Sequence, residues 1–168
     1  KPLSSMEKVY NGLNENNILT TGCLQSKWNQ YILSGNEVKA LELIKKYRDK
    51  FGDDFYLEIQ LNNLDMQMQC NNFYKKVYEK TGIKPVFALD YHYANKDDWY
   101  IQYLLYVIRQ RETVNSYPVK DWFYTVHSLY IKEIDEIYAE AEKYGMDKKF
   151  LELAIDSTFE INDKVKIE

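Results

Sequence analysis

The sequence predicts an α/β fold built around a parallel sheet, and two observations lead to this prediction. The first ninety residues alternate between segments with helical periodicity and short β-rich runs, joined by connections of a few residues. One of these runs, residues 85–89, is apolar without alternation, which is typical of strands buried on both faces in parallel sheets. Right-handed βα units of this kind form either an open doubly wound sheet or a β/α barrel.

The spacing of apolar residues defines each element of this first part. Met6, Val9, Tyr10 and Leu13 follow a serine at helical spacing and therefore predict a capped first helix. Asn and Gly residues mark where later helices begin and end. In order, the sequence predicts a helix over 6–13, a strand over 18–21, a brief helix ending at Ser34, a helix from the cap Asn36 to Gly52, a strand over 55–60, a helix from residue 64 to Gly82 and a strand over 85–89.

The second part of the chain is predicted to be mainly helical. A helix over 97–111 precedes a polar loop over 114–119 and a strand over 123–131, and two helices over 134–144 and 147–163 follow. We therefore divide the chain into βα units over 1–95 and final helices with a strand over 96–168, which together form one compact unit over 1–168.

Composition limits the classes of protein that fit. The 168 residues are 45% apolar, which is enough to bury the core of one domain. The net charge of −4 argues against a general electrostatic clamp for DNA, and the acidity is confined to the second part. Two cysteines and no apolar leader indicate a reducing compartment, so we expect the cytoplasm. No apolar run approaches the length of a bilayer span, and we expect no membrane partner.

Asp90 and His92 are the most informative candidate site residues. They lie two positions apart at the end of a predicted strand, where a period of two places both side chains on one face. A carboxylate and an imidazole in that arrangement are suited to bind one Zn, Mn or Fe ion. The alternative is an ordinary turn in which the histidine hydrogen-bonds nearby.

Cys23 and Glu58 are weaker candidates on neighbouring strands. Cys23 ends a different predicted strand, so its thiol is placed to converge on the same metal, although a lone cysteine is more often a small buried hydrophobe. Glu58 points opposite to its apolar neighbours in its strand, either into a cleft or into solvent. Cys70 and His127 are interpreted as structural or surface residues. No nucleophile elbow or phosphate-binding loop is found in the sequence.

Several segments together resemble a known family. They are Thr21-Gly22-Cys23-Leu24, residues 51–60, Ala88-Leu89-Asp90-Tyr91-His92-Tyr93, Leu129-Tyr130-Ile131-Lys132 and residues 153–167. In order and spacing they resemble the PHP (polymerase and histidinol phosphatase) domain of bacterial and phage C-family replicative DNA polymerases, the DNA polymerase III alpha subunit. The resemblance covers nearly the whole chain, and its Phe-Gly-Asp and Asp-x-His elements are fairly specific.

The resemblance implies a distorted β/α barrel whose strand ends bind up to three metal ions. Carried over by position, Cys23, Asp90 and His92 are the metal ligands. Nothing in the sequence matches the His-x-His pair that opens the family's N-terminal half. We therefore expect the C-terminal part of a PHP-type barrel, partial or distorted, followed by C-terminal helices, with an incomplete site for Zn or Mn, or for Fe or Mg.

The expected function is that of a PHP segment in a replicative DNA-directed DNA polymerase, both structural and metal-binding, and part of a 3′ to 5′ exonuclease or phosphoesterase site. The start at Lys1 rather than Met indicates a piece of a longer protein. The expected partners are the N-terminal PHP half, the polymerase palm and, through the parent protein, DNA. The parent is a nucleotidyltransferase, and this chain alone is expected to be inactive.

Two alternatives remain open. One is a stand-alone PHP-superfamily metallophosphoesterase that acts on a small phosphate ester such as histidinol phosphate. The other is a non-catalytic interaction module, in which the acidic helices after Asp97 dock a partner while Asp90 and His92 only cap a strand.

Overall fold

A parallel sheet of three strands lies at the centre of the computed structural model, which describes residues 5–14, 16–113, 115 and 127–165. The strands are β1 (Leu19–Thr20), β2 (Phe55–Gln60) and β3 (Pro85–Ala88), and they are arranged in the order β1-β2-β3. Thr20 pairs with Tyr56, and Glu58 pairs with Val86. Because the strands are parallel, their carboxyl ends meet at one edge of the sheet.

The described residues contain seven α-helices. They are α1 (Met6–Gly12), α2 (Lys27–Leu33), α3 (Glu37–Phe51), α4 (Asp65–Thr81), α5 (Trp99–Gln110), α6 (Ile134–Lys143) and α7 (Lys148–Lys164). The Asn36 side chain caps α3 by accepting a hydrogen bond from the backbone N–H of Lys39. Gly82 ends α4 in the left-handed conformation that favours glycine. Within the described ranges, no helix is both long and apolar enough to cross a bilayer.

The hydrophobic core lies between β2 and the helices α2, α3 and α4, and the same cluster continues into α6 and α7. Phe55, Leu57 and Ile59 alternate along β2 and are almost completely buried. They belong to one cluster with the side chains of these helices, in which Trp28 and Tyr47 make an edge-to-face contact with ring centroids 5.0 Å apart. This packing fixes which side chains of β2 face the other way, namely Tyr56, Glu58 and Gln60.

The last helix is attached to the amino ends of β2 and β3 by a network of charged side chains. Glu160 accepts hydrogen bonds from Tyr56 Oη at 3.0 Å and from Lys84 Nζ at 2.5 Å. Lys164 Nζ lies 2.8 Å from Tyr56 Oη and 2.9 Å from Asp54 Oδ1. We name Asp54, Tyr56, Lys84, Glu160 and Lys164 the α7 network. It ties the end of α7 to the sheet.

The α7 network predicts an acid-sensitive contribution to stability. The hydrogen bond from Lys84, with smaller contributions from Tyr56 and Lys164, lowers the pKa of Glu160 from its usual 4.5 to about 2. Since the pKa is lower in the folded chain, the contribution is complete above about pH 4.5 and is lost as the pH falls toward 2. Glu160→Gln is therefore expected to be less stable than wild type at pH 6, with a smaller difference at pH 2.5.

Urea unfolding at both pH values measures this effect. The control is Glu79→Gln, which removes a carboxylate that is 56% exposed and lies as far as 3.9 Å from its partner Lys75. Such an exposed, loose pair contributes little to stability at either pH. An equal loss of stability at pH 2.5 and pH 6 in Glu160→Gln would contradict the prediction.

The α/β class and most predicted elements are confirmed. The three strands of the first part and the helices α1 to α4 are observed within about two residues of the predicted bounds. In the second part, residues 123–126 of the strand predicted over 123–131 lie outside the described residues. Residues 127–131 contain only an isolated parallel bridge between Tyr93 and Tyr130 instead of a regular strand. The described strands form an open sheet.

Candidate functional site

Polar side chains collect at the carboxyl ends of β1 and β2. Thr20 Oγ1 donates to Glu58 Oε2 at 2.5 Å, and Gln60 Nε2 donates to Glu58 Oε1 at 2.7 Å. The backbone N–H of Glu58 donates to Thr21 Oγ1 at 2.9 Å. We name Thr20, Thr21, Glu58 and Gln60 the strand-end cluster. Both carboxylate oxygens of Glu58 accept hydrogen bonds within it, so this partly buried charge is held in one orientation.

Two buried amides hold the loops around this cluster. Asn71 Nδ2 donates to the carbonyl oxygen of Gln60 at 2.7 Å, which fixes the end of β2 against α4. Asn29 Nδ2 donates to the carbonyl oxygens of Gly22 and Cys23 at 3.0 and 2.9 Å, and Asn29 Oδ1 accepts from Tyr74 Oη at 2.7 Å. The turn after β1 is therefore positioned by α2 and α4.

Asp90 follows β3 at the same edge of the sheet. Its backbone adopts a positive φ of 52°, which is uncommon for a residue other than glycine. Burial raises the pKa of its carboxyl group, and the negative charge of Glu58 adds to that shift, whereas His92 and a hydrogen bond from Asn62 oppose it. Burial outweighs the favourable partners, so the ionised form of Asp90 is destabilised by its surroundings.

His92 lies beside Asp90 on the surface. Its Nδ1 is 2.8 Å from the backbone carbonyl oxygen of Asp90, and its backbone N–H donates to the carbonyl oxygen of Leu129 at 2.7 Å. β3 ends at Ala88, so Asp90 and His92 lie in the turn after the strand and not at the strand end as predicted, although the His92 ring still contacts the backbone of Asp90. This hydrogen bond is also what the alternative interpretation expects, namely an ordinary turn in which the histidine bonds to a nearby residue.

Cys23 is not brought into a group with these two residues. It is exposed in the turn after β1, where its backbone carbonyl, rather than its thiol, makes the described hydrogen bonds. Among the described residues, no three His, Cys, Asp or Glu side chains lie close enough to bind one metal ion. These residues therefore do not supply the three or four protein ligands typical of a zinc site, and we derive no step through a metal.

For Glu58, the sequence allowed either a cleft or solvent as the surroundings of the side chain. The structure places it in the strand-end cluster, partly buried and hydrogen-bonded on both oxygens. The alternation of Tyr56, Glu58 and Gln60 along a central strand is the signal that predicts such a polar face. Nothing in the local sequence indicates that Thr20 and Gln60 both donate to Glu58.

The two residues interpreted as structural or surface behave accordingly. Cys70 is completely buried, and burial raises the pKa of its thiol to about 12, which leaves it protonated and unreactive. His127 is exposed and stacks on Trp99 with the ring centroids 3.7 Å apart.

Asp90→Asn is expected to stabilise the chain more at pH 8 than at pH 4. The folded state raises the pKa of the Asp90 carboxyl group, so wild type loses stability as the pH rises through that value. Asparagine has nearly the same shape, carries no charge and accepts a positive φ. Thermal unfolding at pH 4 and pH 8 measures the effect, and we expect a larger gain at pH 8. A gain that is larger at pH 4 would contradict this assignment.

Comparison with known proteins identifies relatives of one kind. The chain is 37% identical over 112 residues to DNA polymerase III subunit alpha of Aquifex aeolicus, which covers 66% of this chain and 9% of that subunit. It is 30% identical over 122 residues to the subunit of Thermus aquaticus, covering 73% and 10%, and 29% identical over 163 residues to that of Helicobacter pylori (strain 26695), covering 90% and 13%.

These alignments cover only a small part of each relative's length. No family model matches the chain. The chain spans about a tenth of the length of the curated relatives it matches. Over most of its own length, it is similar to a segment of DNA polymerase III subunit alpha.

Proposed function

We propose that the chain is a PHP-type segment of a replicative DNA polymerase and that it supports the polymerase structurally. The observation that carries this proposal is the similarity to DNA polymerase III subunit alpha over as much as 90% of the chain. The polymerase itself, with its palm and the N-terminal half of the PHP domain, is the proposed partner. DNA is contacted through that parent protein.

The position of β1 supports the proposal of a partial barrel. β1 has only two residues and forms one edge of the described sheet. A barrel requires further strands to continue beyond such an edge until the sheet closes. In our proposal, strands of the N-terminal PHP half pair there and continue the sheet.

The chemistry of the strand-end cluster supports a structural role over hydrolysis. Both oxygens of the Glu58 carboxylate are occupied by Thr20 and Gln60, neutral donors of this same chain. A phosphoesterase centre requires carboxylates and imidazoles directed at metal ions that activate water. Hydrogen bonds between strands instead fix the geometry of the sheet edge, which is the property that a supporting domain needs.

A chimaeric polymerase tests the proposed function. The matching 112-residue stretch of the Aquifex aeolicus subunit is replaced by that of this chain, and primer extension is measured. A control chimaera carries the corresponding stretch from the Thermus aquaticus subunit. We expect both chimaeras to extend primers. An active control beside an inactive chimaera of this chain would contradict the proposal.

The binding of Zn or Mn by Cys23, Asp90 and His92 stays a prediction. Metal content measured after purification with each ion compares wild type with the double variant Asp90→Ala, His92→Ala. A lower metal content in the double variant supports the site, and equal contents contradict it.

Hydrolysis of a phosphate ester by the same preparations distinguishes the structural role from the metallophosphoesterase alternative. In the structural role, wild type and the double variant hydrolyse the ester no faster than buffer. Metal-dependent hydrolysis that is lost in the double variant would favour the metallophosphoesterase.

A further inference from the structure

A polar cavity lies apart from the strand-end cluster and shares no residue with it. Its volume is about 470 Å³, within the range of small-molecule sites. It is formed between Asn63 in the loop after β2, Lys96, the segment at 127–130 and α6. The side chains that the following argument uses are Asn63, Lys96, Ser128, Tyr130, Glu140 and Lys143. We name it the α6 cavity.

The floor of the α6 cavity contains polar atoms without partners. Asn63 Nδ2 donates to Glu140 Oε1, and because a carboxylate only accepts, this bond fixes the orientation of the amide. Asn63 Oδ1 is buried and has no hydrogen-bond partner among the described residues. The same holds for Ser128 Oγ, in a residue that is 7% exposed. Buried polar atoms left unpaired are costly, so a bound molecule that donates hydrogen bonds would satisfy them.

The wall and rim of the cavity have a different chemistry. Lys96 and Lys143 contribute ammonium groups, and in the described part of the chain neither forms an ion pair within 4.0 Å. Tyr130 donates its hydroxyl proton to Glu136 at 2.9 Å and offers a flat ring beside them. Lys96 also helps to lower the pKa of the Glu136 carboxyl group, after hydrogen bonds from the Glu133 backbone and from Tyr130. Since neither lysine forms a close ion pair in the described residues, the two cations beside an aromatic wall are suited to an anionic group such as a phosphate.

We propose that the α6 cavity binds a small phosphate monoester whose other end carries hydrogen-bond donors. The phosphate lies between Lys96 and Lys143, and hydroxyl or amino groups of the ligand donate to Asn63 Oδ1 and Ser128 Oγ. Nucleotides and sugar phosphates both have this chemistry. The proposal goes beyond the structural role above and does not depend on it.

Calorimetric titration of the 168-residue chain tests this proposal. The ligands are deoxyadenosine monophosphate, ribose 5-phosphate, unphosphorylated deoxyadenosine and inorganic phosphate. We expect at least one of the two esters to bind saturably and about tenfold more tightly than either control ligand, because deoxyadenosine lacks the charged phosphate and inorganic phosphate lacks the end that donates to Asn63 and Ser128. The ester that binds more tightly shows whether the cavity favours a nucleotide or a sugar phosphate.

Three variants locate the binding site. Lys143→Gln is expected to weaken ester binding about tenfold, as expected for loss of one charged hydrogen bond. Ser128→Ala is expected to lower the affinity for the ester and leave the affinity for inorganic phosphate unchanged. The variant is expected to fold, because the Ser128 hydroxyl has no partner in the described residues. Lys76→Gln, on the exposed surface of α4, is the control. The proposal is overturned if neither ester saturates, if inorganic phosphate binds as tightly, or if Lys76→Gln weakens binding as much as Lys143→Gln.

Discussion

Lys132→Met is expected to lower the free energy of unfolding by about 3 kcal/mol, because it leaves a carboxylate without its cation in the interior. The Lys132 side chain is 1% exposed, and its Nζ lies 3.1 Å from Oε2 of Glu140, which is 13% exposed. The same ammonium group donates to the carbonyl oxygen of Ser128 and lies 4.8 Å from the centre of the Tyr130 ring. Removing the ammonium group leaves the largely buried Glu140 carboxylate and the Ser128 carbonyl oxygen without these contacts.

A second substitution separates the charge from the packing. In Lys132→Met, Glu140→Gln, the amide still accepts from Asn63 but no charge is buried, so we expect the double variant to be more stable than Lys132→Met. The exposed pair of Lys148 and Glu152, 3.8 Å apart, is the control. Lys148→Met is expected to change stability by less than about 0.5 kcal/mol. Urea unfolding measures all variants, and additive losses in the double variant would contradict the buried pair.

Leu57→Ala is the second large effect, with an expected loss of about 3 kcal/mol in the free energy of unfolding. Leu57 lies in the central strand, is completely buried and belongs to the core between β2 and the helices α2, α3 and α4. Its neighbours in the backbone are hydrogen-bonded on both sides, so the sheet cannot collapse into the space that the side chain leaves.

The matched control is Leu105→Ala, in which the same atoms are removed from a side chain that is 64% exposed. We expect a change within about 0.5 kcal/mol. Denaturant unfolding at neutral pH measures both variants. Similar losses in the two would show that β2 is not the centre of the core.

Local patterns were sufficient to predict most elements of the fold. The apolar run that forms β3 and the alternation in β2 placed both strands, and Asn36 and Gly82 marked helix ends, because caps and turns depend on a few adjacent residues. The period of two expected for Asp90 and His92 is not observed, because β3 ends at Ala88 and Asp90 has a positive φ, so the contact between the two residues comes from the turn that joins them.

Contacts between distant parts of the chain could not be predicted in this way. The turn after β1 starts at Gly22, and Asn29 and Tyr74 fix its backbone, which leaves Cys23 exposed and outside any metal-binding group in the described residues. Lys132 and Glu140 are ordinary charged residues in the sequence. Their burial depends on how residues 127–132 and α6 pack together, and no local spacing encodes that packing.

The α7 network has a consequence for the order in which the molecule can form. It joins Tyr56 to Glu160 and Lys164, more than a hundred positions further along the chain. Contacts of such long sequence separation form late, because the intervening chain must first be ordered. During synthesis, the amino ends of β2 and β3 therefore gain Glu160 and Lys164 as partners only after α7 has left the ribosome. Until then, the three strands of the sheet lack the charged contacts that α7 supplies.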